Sequence, residues 1–163
     1  VGVPPHLLDA VAAVNSRCAK QLVDTVESAI GTLDNRTVAV LGLAFKPGTS
    51  DIRESPALRV IDELAQRGVT VSGYDPVALS TARHVVDPQV RLTDTAESAL
   101  ENTDAALICT AWPEFAQLDW ARLIGVMRQP IIVDGRNALH GVELPEGMSY
   151  FKVGNNQQSI GTK

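Results

Sequence analysis

The chain has 163 residues, of which 45% are hydrophobic and 20% are charged, and its formal net charge is −5. This length accommodates one domain with a sizeable core, and the negative balance argues against a nucleic-acid partner, because phosphate contacts need a basic face. No apolar run approaches the roughly 18 residues of a membrane helix, and nothing resembles a signal peptide. We therefore expect a cytoplasmic protein that binds neither nucleic acid nor membrane.

The first predicted element is a long helix from Pro4 to about Ile30, ended by Gly31. Its apolar positions recur every three or four residues, at Leu7, Val11, Val14, Cys18, Leu22, Val26 and Ala29. Such a helix is roughly 40 Å long, which suggests a spacer or a subunit interface. On this pattern Cys18 is a small packed hydrophobe. Because the sequence starts at Val1 without an initiator methionine, we expect it to be part of a longer protein.

Strand-like and helix-like segments alternate after this helix. Strands are predicted at 37–43, 69–74, 90–92, 105–110, 131–134 and 150–153, and helices at 56–67, 77–83, 96–101 and 120–127. The alternation predicts an α/β fold: a doubly wound, mostly parallel Rossmann-like sheet of five or six strands, in the order 3-2-1-4-5 with room for a sixth. We divide the chain into a helix, 1–33, and a Rossmann-like domain, 34–163, whose polar tail should fray.

The stretch 38–64 carries the strongest local signal. An apolar strand ends at Gly42, and a charged loop leads into a helix that Ser55 can cap. This is the opening of a βαβ unit, where phosphate-bearing ligands usually bind. The loop lacks the GxGxxG of a dinucleotide site and contains Lys46 and Arg53 instead. It therefore predicts an anionic ligand that is held partly by side chains.

Three loops should meet where the strand order reverses, between the first and fourth strands. The first loop carries Phe45 and Lys46, the second Thr110 and Trp112, and the third Arg136. Lys46 and Arg136 supply positive charge, and the planar fork of Arg136 suits phosphate or carboxylate. Phe45 and Trp112 offer flat faces for a base or a sugar. These residues predict a nucleotide or sugar-phosphate site, with Thr110 and Trp112 as possible lining.

Simpler explanations compete with these assignments. A single cation in a loop is usually just solvated, and Trp112 is more often a core residue than a ligand contact. Asp75 ends the second strand, where a Rossmann acid would bind a ribose, but without GxGxxG a turn-forming role is favoured. Asp51, Arg53 and Glu54 can equally be a local ion-pair cluster at a helix start.

The cysteines and histidines give no sign of further chemistry. Cys109 ends a buried strand without a histidine close in sequence, and neither it nor Cys18 has the surroundings of an activated thiolate. The two cysteines form no CxxC pair, and the three histidines are scattered. We predict no nucleophile, no disulfide and no metal site in this chain.

Several motifs, taken in order, resemble one family. They are GLAFKPGTSDIRESP at 42–56, GYDP at 73–76, ICTAWPEF at 108–115 and VDGRN at 133–137, followed by Gly147, Tyr150 and Gly154. With this spacing the chain resembles the C-terminal domain of the nucleotide-sugar dehydrogenases, the UDP-glucose/GDP-mannose dehydrogenase family. The first helix is similar to the family's long interdomain helix, with its Val14-Asn15 pair.

The resemblance implies a function and roles for particular residues. The family oxidises the C6 alcohol of a nucleotide sugar to a carboxylate in two NAD-dependent hydride transfers, with a catalytic cysteine. Phe45, Lys46 and Arg136 would bind the UDP-sugar substrate, and Arg53 would contact NAD. The long helix would mediate a homodimer or a higher oligomer.

The chain also departs from the family. The glycine-rich segment with the catalytic cysteine and the NAD-binding domain both lie upstream of the long helix, and both are absent here. Since Cys18 and Cys109 do not occupy the nucleophile's motif, we expect no catalytic residue in this chain and no turnover by it alone. NAD would be bound mainly by the missing N-terminal domain. Ser50 replaces an acid that many relatives carry beside Asp51, a change we expect to be tolerated.

The substrate and the role leave alternatives open. The last motifs look most like the UDP-glucose branch, which forms UDP-glucuronate; the UDP-N-acetylmannosamine and GDP-mannose branches are the alternatives. A different class of role is a dimerisation or assembly module built on the long helix. A response-regulator-like domain is disfavoured, because no acidic pair follows the first strand.

Overall fold

A computed structural model of the chain describes residues 6–153, with side chains from Val14 onward. The α-helices of this range are α1 (His6–Ile30), α2 (Pro56–Gln66), α3 (Leu79–Ala82), α4 (Ala96–Leu100) and α5 (Trp120–Leu123), with 3₁₀ turns at Pro113–Gln117 and Ile124–Val126. The strands are β1 (Thr37–Leu41), β2 (Thr70–Tyr74), β3 (Arg91–Leu92), β4 (Ala105–Ile108), β5 (Ile131–Asp134) and β6 (Ser149–Lys152). The predictions for Pro4, for Gly154 and for a frayed tail lie outside the described residues.

The six strands form one parallel sheet in the order β3-β2-β1-β4-β5-β6. This confirms the predicted fold class and strand order, with the sixth strand at the edge beside β5. The chain passes from β1 to β2 through α2, and it crosses from β3 to β4, on the other side of β1, through α4. Because crossovers between parallel strands are right-handed, α2 and α4 cover opposite faces of the sheet.

The centre of the sheet is fully buried. Residues 38–41 of β1 and 105–108 of β4 have 0% exposure. Strands covered on both faces read as continuous apolar runs rather than as alternating ones, which is why these segments are recognisable in the sequence.

Helix α2 begins and ends where the sequence predicts. The Ser55 side chain accepts a hydrogen bond from the Ala57 N–H at 3.3 Å, and Pro56 opens the helix. The buried face is formed by Ala57, Val60, Ile61 and Leu64. Gly68 follows the helix with a φ of +75°, in the left-handed region that favours glycine.

Helix α1 packs on the sheet and beside α2 as part of the same core. Its buried residues are Ala19, Leu22, Val23, Val26 and Ile30. The guanidinium of Arg67, just after α2, joins the two helices: it contacts Asp24 at 2.7 Å, Glu27 at 2.9 Å and Glu63 at 2.6 Å. One arginine thus holds three carboxylates from two helices together.

The prediction that Cys18 is packed was wrong. All residues from Val14 to Cys18 are exposed, and Val14 keeps 52% of its surface accessible. Burial on α1 starts at Ala19, so the apolar spacing continues along the helix beyond the part that the sheet covers. Within the described range, no helix is long and apolar enough to cross a membrane.

Candidate functional site

The loops after β1, β4 and β5 meet at the carboxyl ends of these parallel strands, as predicted. Gly42, which follows β1, has a φ of +86°, and a Cβ atom placed there would lie 2.6 Å from the Cβ of Thr110. The N–H of Gly135, which follows β5, donates to the carbonyl of Ile108 at 3.0 Å. The loops after β1 and β5 therefore lie directly against the end of β4 and the residues that follow it.

Phe45 and Lys46 lie on a closed loop that projects from this edge. The N–H of Phe45 donates to the carbonyl of Asp51 at 2.8 Å, which joins the two ends of the loop 45–51. The side chains of Phe45 and Lys46 are both exposed, and Phe45 keeps 50% of its surface accessible. A large apolar ring beside an exposed ammonium group offers both packing surface and charge to a ligand.

The carboxylate of Asp75 holds the start of this loop. It is 1% exposed, and its Oδ2 accepts hydrogen bonds from the N–H groups of Leu43 at 2.7 Å and Ala44 at 2.9 Å, and from the Trp112 indole at 3.0 Å. Its Oδ1 accepts from the N–H groups of residues 77 and 78, at 2.9 and 2.7 Å. The predicted turn-forming role is confirmed, but most of these partners lie on other loops. The sequence shows an aspartate directly after a buried strand, but not which backbone groups its carboxylate binds.

Thr110 and Trp112 hold the loops together from the β4 side. The Thr110 hydroxyl donates to the Ala44 carbonyl at 2.5 Å, and Trp112 is 8% exposed with its N–H bonded to Asp75. Both side chains thus use their polar groups within the protein. That they also line a ligand pocket stays a prediction.

Arg136 is positioned by a second buried aspartate, a feature that residue patterns did not reveal. Oδ1 of Asp134 accepts from the Arg136 N–H at 2.9 Å, and Oδ2 accepts from the Leu139 N–H at 3.0 Å and the Tyr150 hydroxyl at 2.7 Å. The turn also lies close against α1, because a Cβ at Gly135 would be 2.9 Å from a methyl group of Leu22. The Arg136 side chain itself is exposed.

Cys109 lies beneath this turn and has the properties of an inert thiol. Burial raises the pKa of the Cys109 thiol to about 12, against a smaller opposing effect of the nearby Arg136 guanidinium. A thiolate is the reactive form of cysteine, so this residue is not suited to nucleophilic attack at neutral pH. Among the residues described, no group of three or more His, Cys, Asp and Glu side chains could hold a metal ion.

Arg53 forms a bidentate pair with Asp51 beside the closed loop. Its Nη2 lies 2.8 Å from Oδ2 and its Nε 3.0 Å from Oδ1, and its hydrogen bonds lower the pKa of Asp51 to about 2. Glu54 belongs to another pair, with Arg59 at 2.8 Å. The ion-pair interpretation of this segment is therefore confirmed for Asp51 and Arg53. Because 87% of the Arg53 side chain is exposed, it can still reach a second molecule or domain.

Residues 39–141 match the model of the UDP-glucose/GDP-mannose dehydrogenase family, UDP binding domain. The chain is 38% identical over 154 residues to UDP-glucose 6-dehydrogenase TuaD of Bacillus subtilis, covering 94% of this chain and 33% of the relative. It is 44% identical over 149 residues to UDP-glucose 6-dehydrogenase AglM of Haloferax volcanii, covering 91% and 33%. It is also similar to the structure of a UDP-glucose dehydrogenase from Pyrobaculum islandicum, with 34% identity and a TM-score of 0.71, covering 88% of this chain and 31% of that one.

The chain thus spans about a third of the length of the curated relatives it matches. The family match includes the loops after β1, β4 and β5 that carry the candidate site. The chain belongs to the UDP-glucose/GDP-mannose dehydrogenase family and corresponds to its UDP-binding domain.

Proposed function

We propose that this chain is the UDP-sugar-binding C-terminal portion of an NAD-dependent UDP-glucose 6-dehydrogenase, which converts UDP-glucose to UDP-glucuronate in two oxidation steps. One observation carries the proposal: Lys46 and Arg136 stand exposed on loops at one sheet edge, and neither has an ion-pair partner within the described part of the chain. Two exposed cations on loops that leave the same end of the sheet suit a diphosphate.

Each exposed residue of the site has a role in this proposal. Lys46 and the Arg136 fork neutralise the diphosphate, and the half-exposed ring of Phe45 packs against the base or the sugar. Arg53 faces outward from its pair with Asp51 and contacts NAD. The cofactor is held mainly by a domain outside this chain, and it supplies the hydride acceptor for both oxidations.

We propose further that the chain binds substrate but does not oxidise it alone. The oxidation in this family needs a reactive thiolate. Cys109 is buried with a raised pKa, and Cys18 lies on α1 with its neighbours exposed to solvent. A buried thiol with a raised pKa does not supply that thiolate, and Cys18 does not occupy the motif that carries the nucleophile in this family.

Sequence identity favours glucose as the sugar. The UDP-glucose 6-dehydrogenases TuaD and AglM are 38% and 44% identical to this chain. A UDP-N-acetylmannosamine-type dehydrogenase from Pyrococcus horikoshii is 31% identical, with a TM-score of 0.67. Among the solved structures the UDP-glucose dehydrogenase is 34% identical, so the names and identities together favour the UDP-glucose branch over the UDP-N-acetylmannosamine branch.

Isothermal titration calorimetry of the chain with UDP, UDP-glucose, UDP-N-acetylmannosamine and GDP-mannose tests the proposal. We expect heat with the uridine nucleotides and little with GDP-mannose. A folded sample that gives heat with GDP-mannose and none with UDP would contradict the proposed ligand. Incubation with NAD and UDP-glucose should produce no NADH.

A second role, subunit assembly through α1, is favoured by the exposed segment from Val14 to Cys18. We propose that this segment pairs with a second copy of the chain. Sedimentation velocity should then show a dimer at micromolar concentration, and a thiol reagent should modify Cys18 more slowly as the concentration of the chain rises. A monomer whose Cys18 reacts at the same rate throughout would contradict assembly.

A further inference from the structure

Asp75 lies at the point where a doubly wound sheet ordinarily binds a dinucleotide. In such folds the pyrophosphate lies against the glycine-rich turn after the first strand and at the N-terminus of the helix that follows, and a second glycine allows close approach. Here Gly42 is the first glycine, and Ala44 stands where the second would be. The N–H groups of Leu43 and Ala44 are therefore backbone donors that a pyrophosphate bound in this turn would approach.

Both donors are already used by the protein. Each points at Oδ2 of Asp75, at 2.7 and 2.9 Å, and the Trp112 indole donates to the same oxygen. The carboxylate is 1% exposed and its other oxygen accepts two more backbone N–H groups. A ligand phosphate could reach these donors only by displacing a carboxylate with five hydrogen bonds.

The surrounding loop is closed as well. Ala44 is fully buried, and its carbonyl accepts from the Thr110 hydroxyl. Helix α2 does not start until Pro56, so its N-terminus does not directly follow the glycine turn, and the Ser55 side chain bonds its Ala57 N–H. The usual dinucleotide position is thus filled by the chain itself.

We propose that Asp75 is an internal anion that replaces a dinucleotide phosphate at the switch point, and that it thereby closes the backbone donors of the glycine turn to nucleotide phosphates. It excludes a pyrophosphate from Leu43 and Ala44, and it fixes the loop whose next residues are Phe45 and Lys46. The ligand diphosphate is bound instead by side chains farther out. The exclusion follows from the hydrogen bonds of Asp75 whatever the ligand is, whereas the role of Lys46 rests on the proposed UDP function.

The test compares Asp75→Asn and Asp75→Ala with the unchanged chain, using UDP, inorganic pyrophosphate and formate as probes. Asp104→Ala is the matched control. Asp104 is also a buried carboxylate (2% exposed), but it accepts the Thr37 N–H at the amino ends of β1 and β4, away from the site. Amide NMR signals of Leu43 and Ala44 and calorimetric UDP affinity are measured for each protein.

We expect pyrophosphate to leave the Leu43 and Ala44 signals unmoved in the unchanged chain and to shift them in Asp75→Ala. UDP affinity should fall about tenfold in both Asp75 variants and stay unchanged in Asp104→Ala. Formate, which replaces the missing carboxylate, should restore UDP affinity in Asp75→Ala. A merely space-filling role would leave Asp75→Asn with normal affinity.

Several results would overturn the proposal. Pyrophosphate shifts at Leu43 and Ala44 in the unchanged chain would show that the donors are accessible, and this experiment needs no variant to fold. Full UDP affinity in Asp75→Asn would show that the negative charge is not required. If UDP fails to bind the unchanged chain while pyrophosphate still shifts the Leu43 and Ala44 signals in Asp75→Ala alone, Asp75 is the internal anion and the proposed UDP function is wrong.

Discussion

The hydroxyl of Tyr150 donates a 2.7 Å hydrogen bond to the buried carboxylate of Asp134, and through it β6 supports the turn that carries Arg136. Tyr74 makes a bond of the same length to Glu114, which is only partly buried. Burial is the main cause that raises the pKa of both phenols, so both remain donors at neutral pH. The two tyrosines therefore form a natural pair for comparison.

We expect Tyr150→Phe to lower the free energy of unfolding by about 2 kcal/mol and to weaken UDP binding severalfold, because a buried carboxylate loses a donor and the Arg136 turn loosens. Tyr74→Phe should cost less than about 1 kcal/mol and leave UDP binding unchanged. Urea denaturation and calorimetry measure both effects. Equal losses of affinity in the two variants would contradict a specific link from Tyr150 to the Arg136 turn.

Lys46→Ala and Arg136→Ala should each weaken UDP binding about tenfold while the unfolding midpoint stays unchanged, because both side chains are exposed and each would lose a charge-assisted contact. The affinity of the unchanged chain should fall as salt is added. Arg83→Ala is the control: Arg83 is also exposed, but it pairs with Asp94 beside the edge strand β3. Unaltered UDP affinity in both Lys46→Ala and Arg136→Ala would refute the site assignment.

The Asp51 carboxylate should titrate at about pH 2, well below its ordinary value of 3.8, because Arg53 donates to its charged form. The folded pKa is lower than the unfolded one, so the pair stabilises the closed loop above about pH 3.8, and this contribution is lost as the pH falls through about 2. Carbon NMR of the carboxyl group measures the midpoint. In Arg53→Gln it should rise toward 3.8, and a midpoint near 3.8 in the unchanged chain would refute the pairing in solution.

Gly42→Ala should be much more destabilising than Gly48→Ala, although both glycines have positive φ, +86° and +80°. At Gly48 no atom lies within 4 Å of an added Cβ, so the cost is the backbone strain, about 1 kcal/mol. At Gly42 the added Cβ also collides with Thr110, which should bring the loss to about 3 kcal/mol or more. Thermal denaturation compares the two, and equal midpoints would contradict the close contact between the loops after β1 and β4.

The two thiols should differ strongly in reactivity. In the folded chain at low concentration, one equivalent of a thiol reagent should react rapidly with exposed Cys18, and Cys109 should react only after denaturation. Burial raises the pKa of Cys109 to about 12, so its reaction should also remain slow at pH 9. Rapid modification of two thiols in the folded chain would contradict this burial.

The elements with local signals were predictable from the sequence. Helix α2 has a capping serine, an opening proline and a regular apolar face, and the buried strands read as apolar runs. The handedness of crossovers then leaves little choice of strand order. Short elements were less predictable: the helix expected at 120–127 ends at Leu123 and continues as a 3₁₀ turn at Ile124–Val126.

The parts that sequence could not provide depend on contacts between distant segments. The bonds of Asp75 to Leu43 and Ala44 span more than thirty residues, and nothing in the local pattern specifies them. The spacing of apolar residues on α1 predicts a stripe, but not how far along the helix the sheet covers it, which is why the prediction for Cys18 was wrong. The tertiary fold determines which groups a side chain contacts, whereas the neighbouring residues in the sequence largely determine whether it lies in a helix or in a strand.

Leu22 fills the space that a side chain at position 135 would need. Helix α1 and the turn that carries Arg136 are therefore in direct contact, and the turn cannot move toward α1 unless the helix moves as well. A displacement of α1 at Leu22 would therefore displace the backbone of the turn that carries Arg136. If Arg136 binds the ligand as proposed, we expect ligand affinity and the placement of this helix to be coupled.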